Sequence, residues 1–253
     1  MKPGRVVIAG LGLIGGSLAR DLRRLGWHVT GVDRAAVRRR ARRAGAIDAG
    51  SERLGPALAA AELLVIAAPP RASLALLRQA ARIAPDLCIT DVVSVKRPIC
   101  REAERLGLAG FVGGHPLAGS EAAGFGASRE GLFRGRRWAL CPLAATRQTA
   151  LRRVRGLVRA AGARPEIVDP GRHDRAVAAL SHLPQLVAWA LVGTSRGLGA
   201  DERRLAGPAF AQMTRLARSP WPLWREILGA NSDEVSAALD AFRRRLGRRR
   251  HRG

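Results

Sequence analysis

The sequence predicts an α/β chain: a parallel β-sheet with helices on both faces, followed by an all-helical domain. Three observations predict it. β-Branched runs alternate with helix-spaced Ala/Leu/Arg segments through the first two thirds of the 253 residues. A strand-like run leads straight into the glycine loop Gly10-x-Gly12-x-x-Gly15. Beyond Asp169-Pro170-Gly171 no convincing strand pattern follows, only helical segments. The boundary is therefore placed at residue 170, giving domains 1–170 and 171–253.

Taken in order, the expected strands are residues 5–9, 28–32, 63–67, 87–90, 111–113, 139–141 and 166–168. Helical spacing fills residues 16–25 and 72–83 between the early ones. Residues 172–195 read as one long helix with Ala176, Ala179, Leu180, Leu183, Leu186, Val187 and Ala190 on its apolar side. A helix so apolar is expected to pack against a second subunit as well as its own domain. Helix breaks are expected at 197–199, Gly207-Pro208 and Ser219-Pro220.

Composition narrows the class. The formal net charge is +24, and all but two of the 44 basic residues are arginine, the lysines being Lys2 and Lys96. The arginines run along the whole chain, so no specific nucleic-acid site is read from them, only adventitious attraction to polyanions. Their densest run, residues 243–252, reads as a solvated helix end. Cys88, Cys100 and Cys141 are an odd count without CxxC spacing, which argues against a disulfide framework and a metal site. No run approaches the ~18 consecutive apolar residues of a membrane helix, and the N-terminus lacks a secretory pattern. A cytoplasmic protein is expected.

In VVIAGLGLIGGSLA, residues 6–19, a strand precedes the three glycines and a helix follows. The first glycine permits the tight turn, the second lets backbone approach a pyrophosphate, and the third lets helix pack on strand. Leu13 and Ile14 complete the loop at the helix N-terminus, where amides favour phosphate. Asp33 closes the next strand 18 residues beyond Gly15, placed to hold the two adenosine ribose hydroxyls. This is a Rossmann-type dinucleotide fingerprint. The carboxylate favours NAD, while Arg34 beside it keeps NADP as the weaker alternative.

Three polar segments suggest chemistry. TDVVSVK, residues 90–96, ends a strand, where a parallel sheet opens its ligand crevice; Asp91, Ser94 and Lys96 are expected to face it. GGHPLAGSEAAGF, residues 113–125, offers His115, Ser120 and Glu121 on a loop. HDRAVAALSHLPQLVAWAL, residues 173–191, carries His173, Asp174, Ser181, His182 and Gln185 on the long helix.

Together with TRLARSPWPLW, residues 214–224, these segments resemble the prephenate/arogenate dehydrogenase family of tyrosine biosynthesis, in the family's order and over nearly the whole chain. The resemblance implies hydride transfer from a cyclohexadiene carboxylate to NAD, with His115 taking the ring hydroxyl's proton and Ser94 sharing its hydrogen bond. It implies a substrate pocket formed by Arg215 on a carboxylate, by Ser181, His182 and Gln185, and by Trp224 as a wall. Ser120 and Glu121 fall on its entrance loop. His173 and Asp174 are read instead as electrostatic caps of the long helix. A homodimer through the helical domain is implied, and no regulatory domain or fused mutase is expected.

Many prephenate-using relatives carry histidine where this chain has Gln185, a departure that leaves the side-chain preference open; prephenate is favoured, with arogenate, or both, as the alternative. Outside the family, a β-hydroxyacid dehydrogenase would need a catalytic lysine on a helix. A basic nucleic-acid-binding module would leave His115 and SHLPQ without a role.

Overall fold

The computed structural model describes residues 3–250 and divides into two compact units, Met1–His173 and Asp174–Gly253. The first contains strands β1 (Arg5–Ala9), β2 (His28–Val32), β3 (Ala49–Ser51), β4 (Leu63–Ile66), β5 (Cys88–Asp91), β6 (Phe111–Pro116), β7 (Arg137–Pro142) and β8 (Arg164–Ile167). They form one sheet in the order β3-β2-β1-β4-β5-β6-β7-β8. All neighbours run parallel except β6 and β7. Strand order reverses between β1 and β4, where doubly wound sheets open their ligand crevice. The sequence reading has no counterpart of β3, whose Ala-Gly-Ser lacks any residue that favours a pleated surface.

The helices of this unit are α1 (Leu13–Arg24), α2 (Ala35–Arg43), α3 (Leu54–Leu58), α4 (Pro70–Ile83), α5 (Arg97–Arg105) and α6 (Gln148–Ala160), and α7 (Pro170–Val177) runs across the boundary at His173. Period-2 alternation divides the core between the two sheet faces. Val6, Ile8, Leu63 and Val65 pack with Leu18 of α1, Ala41 of α2 and Leu157 of α6. Val7, Ala9, Leu64 and Ile66 pack with Leu54 of α3, Leu77 of α4 and Ile99 of α5.

The second unit contains α8 (Leu183–Ser195), α9 (Ala200–Arg203), α10 (Pro208–Thr214), a 3₁₀ turn Arg215–Arg218, α11 (Trp221–Ala230) and α12 (Ser232–Arg250). Among the described residues no strand follows Ile167. The expected breaks become helix starts: Gly199, Gly207 and Pro220 are the N-caps of α9, α10 and α11. The basic tail is helical through Arg250, and its end, including Arg252, lies outside the described residues.

The expected long helix is interrupted by a π-turn, Ala178–His182, that links α7 to α8. The helix does not bury its apolar side uniformly in its own chain. Asp174, Ala178, His182, Gln185 and Ala188 are buried, whereas Ala176, Ala179 and Ala190 are exposed and Leu180 is 80% exposed. The extra residue of the π-turn lets the buried positions step by fours to His182 and by threes after it, keeping them on one side. By length and composition alone, Pro170–Ser195 is apolar enough to cross a membrane.

Candidate active site

Each glycine of the loop meets a different demand. Gly10 has φ +100°, and a Cβ there would collide with the Ala67 carbonyl oxygen. A Cβ on Gly15 would collide with the Gly10 carbonyl oxygen. At Gly12 an added Cβ meets nothing within 4 Å, so the backbone borders open space. Gly12 is also the N-cap of α1, which has no side-chain cap and no acid in its first turn. Its amides are thus left to an anion. Leu13 and Ile14 are half-buried, packing side chains against the core while their backbone forms the start of α1.

Asp33 follows β2, and its carboxylate is fixed by two amides: Leu11 N–H donates to Oδ2 and Arg34 N–H to Oδ1, both at 2.7 Å. The Arg34 side chain is 90% exposed, with Nε 4.0 Å from Asp33 Oδ1. An open glycine cradle, an uncapped helix N-terminus and an immobilised acid at the end of β2 fit a dinucleotide such as NAD. Asp33→Ser is expected to raise KM for NAD at least about tenfold, because a ribose contact to a charged acceptor is lost. Steady-state kinetics with varied NAD reads this directly, and an unchanged KM refutes the role of Asp33.

His115 sits near the end of β6, opposite Ala139 of β7. The parallel β5–β6 ladder stops at Thr90↔Val112. Beyond it the Gly114 N–H and C=O would lack partners on the β5 side. They find side chains instead. Gly114 N–H donates to Asp91 Oδ1 at 3.0 Å, and Lys96 Nζ donates to Gly114 O at 2.7 Å. Lys96 also pairs with Asp91 Oδ2, and both residues are fully buried. Asp91 Oδ2 further accepts Val93 N–H at 2.8 Å. The expectation that Asp91 and Lys96 face the crevice is thereby corrected: a cation and an anion that meet inside the fold neutralise each other and hold the peptide before His115. Ser94 lies half-buried in the turn between β5 and α5.

The ring of His115 meets His173, with Nδ1 and Nε2 2.9 Å apart and the rings edge-on at 72°. His173 therefore contacts the predicted base and does not cap its helix. Asp169 does the capping, its Oδ1 accepting Arg172 N–H at 2.9 Å. The HD pair was visible in the sequence, but the distance of His173 from His115 along the chain hid the contact.

Ser120 and Glu121 lie in the loop after β6. Ser120 is exposed, and its Oγ accepts Ala122 N–H of its own loop at 3.3 Å; Glu121 is half-buried. The far end of the loop is pinned to α1. Ser17 Oγ accepts Arg129 N–H at 3.0 Å and Asp21 Oδ1 accepts Gly131 N–H at 2.8 Å. Burial pushes the Asp21 carboxyl up from its ordinary pKa, against the lowering effect of that amide.

In the second unit, Ser181 is exposed and His182 buried, its ring 5.9 Å from that of the half-buried Trp224. Gln185 is buried too. Its Nε2 donates to Leu216 O at 2.7 Å, while Trp189 Nε1 donates to Ala217 O at 3.1 Å. One helix thus grips the 3₁₀ turn that begins at Arg215, whose side chain is exposed. Among the described residues no group of three or more His, Cys, Asp or Glu could hold a metal ion.

Two family models cover the chain: the nucleotide-binding domain of prephenate dehydrogenase over residues 18–167 and its dimerization domain over residues 169–251. The prephenate dehydrogenase of Bacillus subtilis is 32% identical, over 95% of this chain and 68% of its own length. The structure of Aquifex aeolicus prephenate dehydrogenase with hydroxyphenyl propionate and NAD+ superposes with a TM-score of 0.91. It is 30% identical, over 98% of this chain and 90% of that one. The Synechocystis arogenate dehydrogenase structure gives a TM-score of 0.82 at 30% identity, over 96% and 90%. The chain is an NAD-dependent oxidoreductase and belongs to the prephenate dehydrogenase family.

Proposed function

We propose that this chain catalyses the oxidative decarboxylation of prephenate to 4-hydroxyphenylpyruvate in the cytoplasm, as a homodimer joined through the helical domain expected over residues 171–253. The observation that carries the reading is His115, at the end of a clamped strand with its Nδ1 against His173. If that nitrogen donates to His173, the lone pair of the neutral ring lies on Nε2, the tautomer a general base needs.

The chemistry follows from the substrate. NAD, when bound, supplies the hydride acceptor. As hydride leaves the carbinol carbon, His115 takes the hydroxyl proton and Ser94 orients that hydroxyl. The ring carboxylate then departs as carbon dioxide, its bonding pair completing the aromatic ring. Arg215 offers a planar guanidinium to a substrate carboxylate, and the resemblance assigns Ser181, His182 and Trp224 to substrate binding as well. Ser120 and Glu121, on the loop after β6, are assigned to substrate by the same resemblance. Arg215→Ala is expected to raise substrate KM at least about tenfold with kcat nearly kept, since a charged contact made in ground and transition states alike is lost.

A second reading is favoured by one atom. Gln185 Oε1 is buried without a hydrogen-bond partner. An ammonium group is a donor and a keto group is not, so this acceptor favours arogenate. The exposed Leu180, Ala176 and Ala179 form an apolar flank suited to a second copy, which accounts for the apolar helix without a membrane. The deciding experiment follows reduced cofactor by absorbance, with prephenate or arogenate and NAD or NADP. Turnover of prephenate with NAD supports the proposal; no turnover with any pair overturns it.

A further inference from the structure

Asn231 is fully buried where α11 gives way to α12. Its Nδ2 lies 2.9 Å from Asp174 O and 3.3 Å from His182 Nδ1. A backbone carbonyl only accepts, so the amide atom facing Asp174 must be the NH₂, which fixes the orientation of the amide. The same NH₂ has a second hydrogen, directed at His182. A nitrogen that receives a hydrogen bond presents a lone pair, so Nδ1 of His182 is unprotonated.

We infer that Asn231 is a positioning residue that holds His182 as the neutral Nε2–H tautomer. His182 is then a fixed, uncharged hydrogen-bond donor, not a base. Protonating Nδ1 would set one N–H against another in a buried place and leave the donor without its acceptor. The Trp224 ring stands nearly perpendicular to the imidazole, at 88°, and adds packing that keeps the ring from turning. The role for substrate rests on the reading above that His182 binds substrate: a donor of invariant protonation can hold an anionic group without itself taking up a proton.

The test is a long-range ¹H–¹⁵N correlation spectrum of the intact protein labelled at histidine, at neutral pH. The His182 resonances are assigned by their loss in His182→Gln. The expected pattern is a pyridine-like Nδ1 and a pyrrole-like Nε2. A protonated Nδ1, whether as the other tautomer or as imidazolium, overturns the inference. Asn231→Asp replaces the donor by an acceptor and is expected to move the proton to Nδ1. If that variant folds poorly, the wild-type spectrum alone decides. In Asn231→Asp, substrate KM is expected to rise about tenfold with kcat changed less than about twofold, the scale of one hydrogen bond to a charged group. The expected spectrum with an unmoved KM would retain the tautomer and remove His182 from the pocket.

Discussion

His115→Asn is expected to lower turnover at least about 100-fold while the affinity for NAD is unchanged. The asparagine amide occupies much of the imidazole's volume but has no nitrogen lone pair that takes up a proton at neutral pH. The hydroxyl proton must then pass to water as the carbonyl forms, which removes the usual contribution of a positioned base, about 10²–10⁴ in rate. Nothing about the dinucleotide cradle changes, because Gly12 and Asp33 are held by their own backbone contacts, the latter by Leu11 and Arg34. Stopped-flow or steady-state kinetics gives kcat, and fluorescence titration gives the affinity for reduced cofactor. Loss of both together would show a collapsed site and refute the assignment of His115 as base.

Lys96→Met is expected to destabilise the protein by about 3–5 kcal/mol, the usual result of leaving one member of a buried ion pair behind. The Asp91 carboxylate would stay fully buried without its ammonium, and Gly114 O would lose its donor. For a chain of this size the melting temperature should fall by about 10 °C, read by differential scanning calorimetry. Replacing both members, as Asp91→Leu with Lys96→Met, should recover only part of the loss. A hydrophobic pair commonly matches a buried ion pair in stability, but here the two groups also satisfy a peptide, and Gly114 N–H and C=O would both be orphaned. Full recovery by the double variant would mean that the peptide contacts contribute nothing.

The first unit was readable because its signals are local. Val6 to Ala9 alternate between two apolar faces, and the glycines that follow break the strand in a pattern that few other structures require. β3 escaped because three small residues at a sheet edge leave no pattern. The long helix shows a different limit. Hydrophobicity marks an apolar side but does not say which residues meet the chain's own interior: Leu180 points out while His182 and Gln185 are buried. Periodicity identifies a stripe, not which of two stripes meets the interior, and a π-turn shifts the phase midway. His115, Ser94 and Arg215 emerged from motif order. Their supports did not: His173 lies 58 positions from His115 and Asn231 lies 49 from His182. Contacts at such separations are made by the fold and leave no spacing rule in the chain.

The clamp behind Gly114 also shields the Lys96 ammonium from amine-directed reagents. Lys96 is the only lysine among the described residues, Lys2 lying outside them, and its ammonium is sealed between Asp91 and Gly114. An acylating reagent that ignores guanidinium groups can reach it only when this part of the sheet opens. The rate at which Lys96 becomes modified is therefore a direct clock for the opening of the strand that carries His115, supplied by the native sequence with no label added.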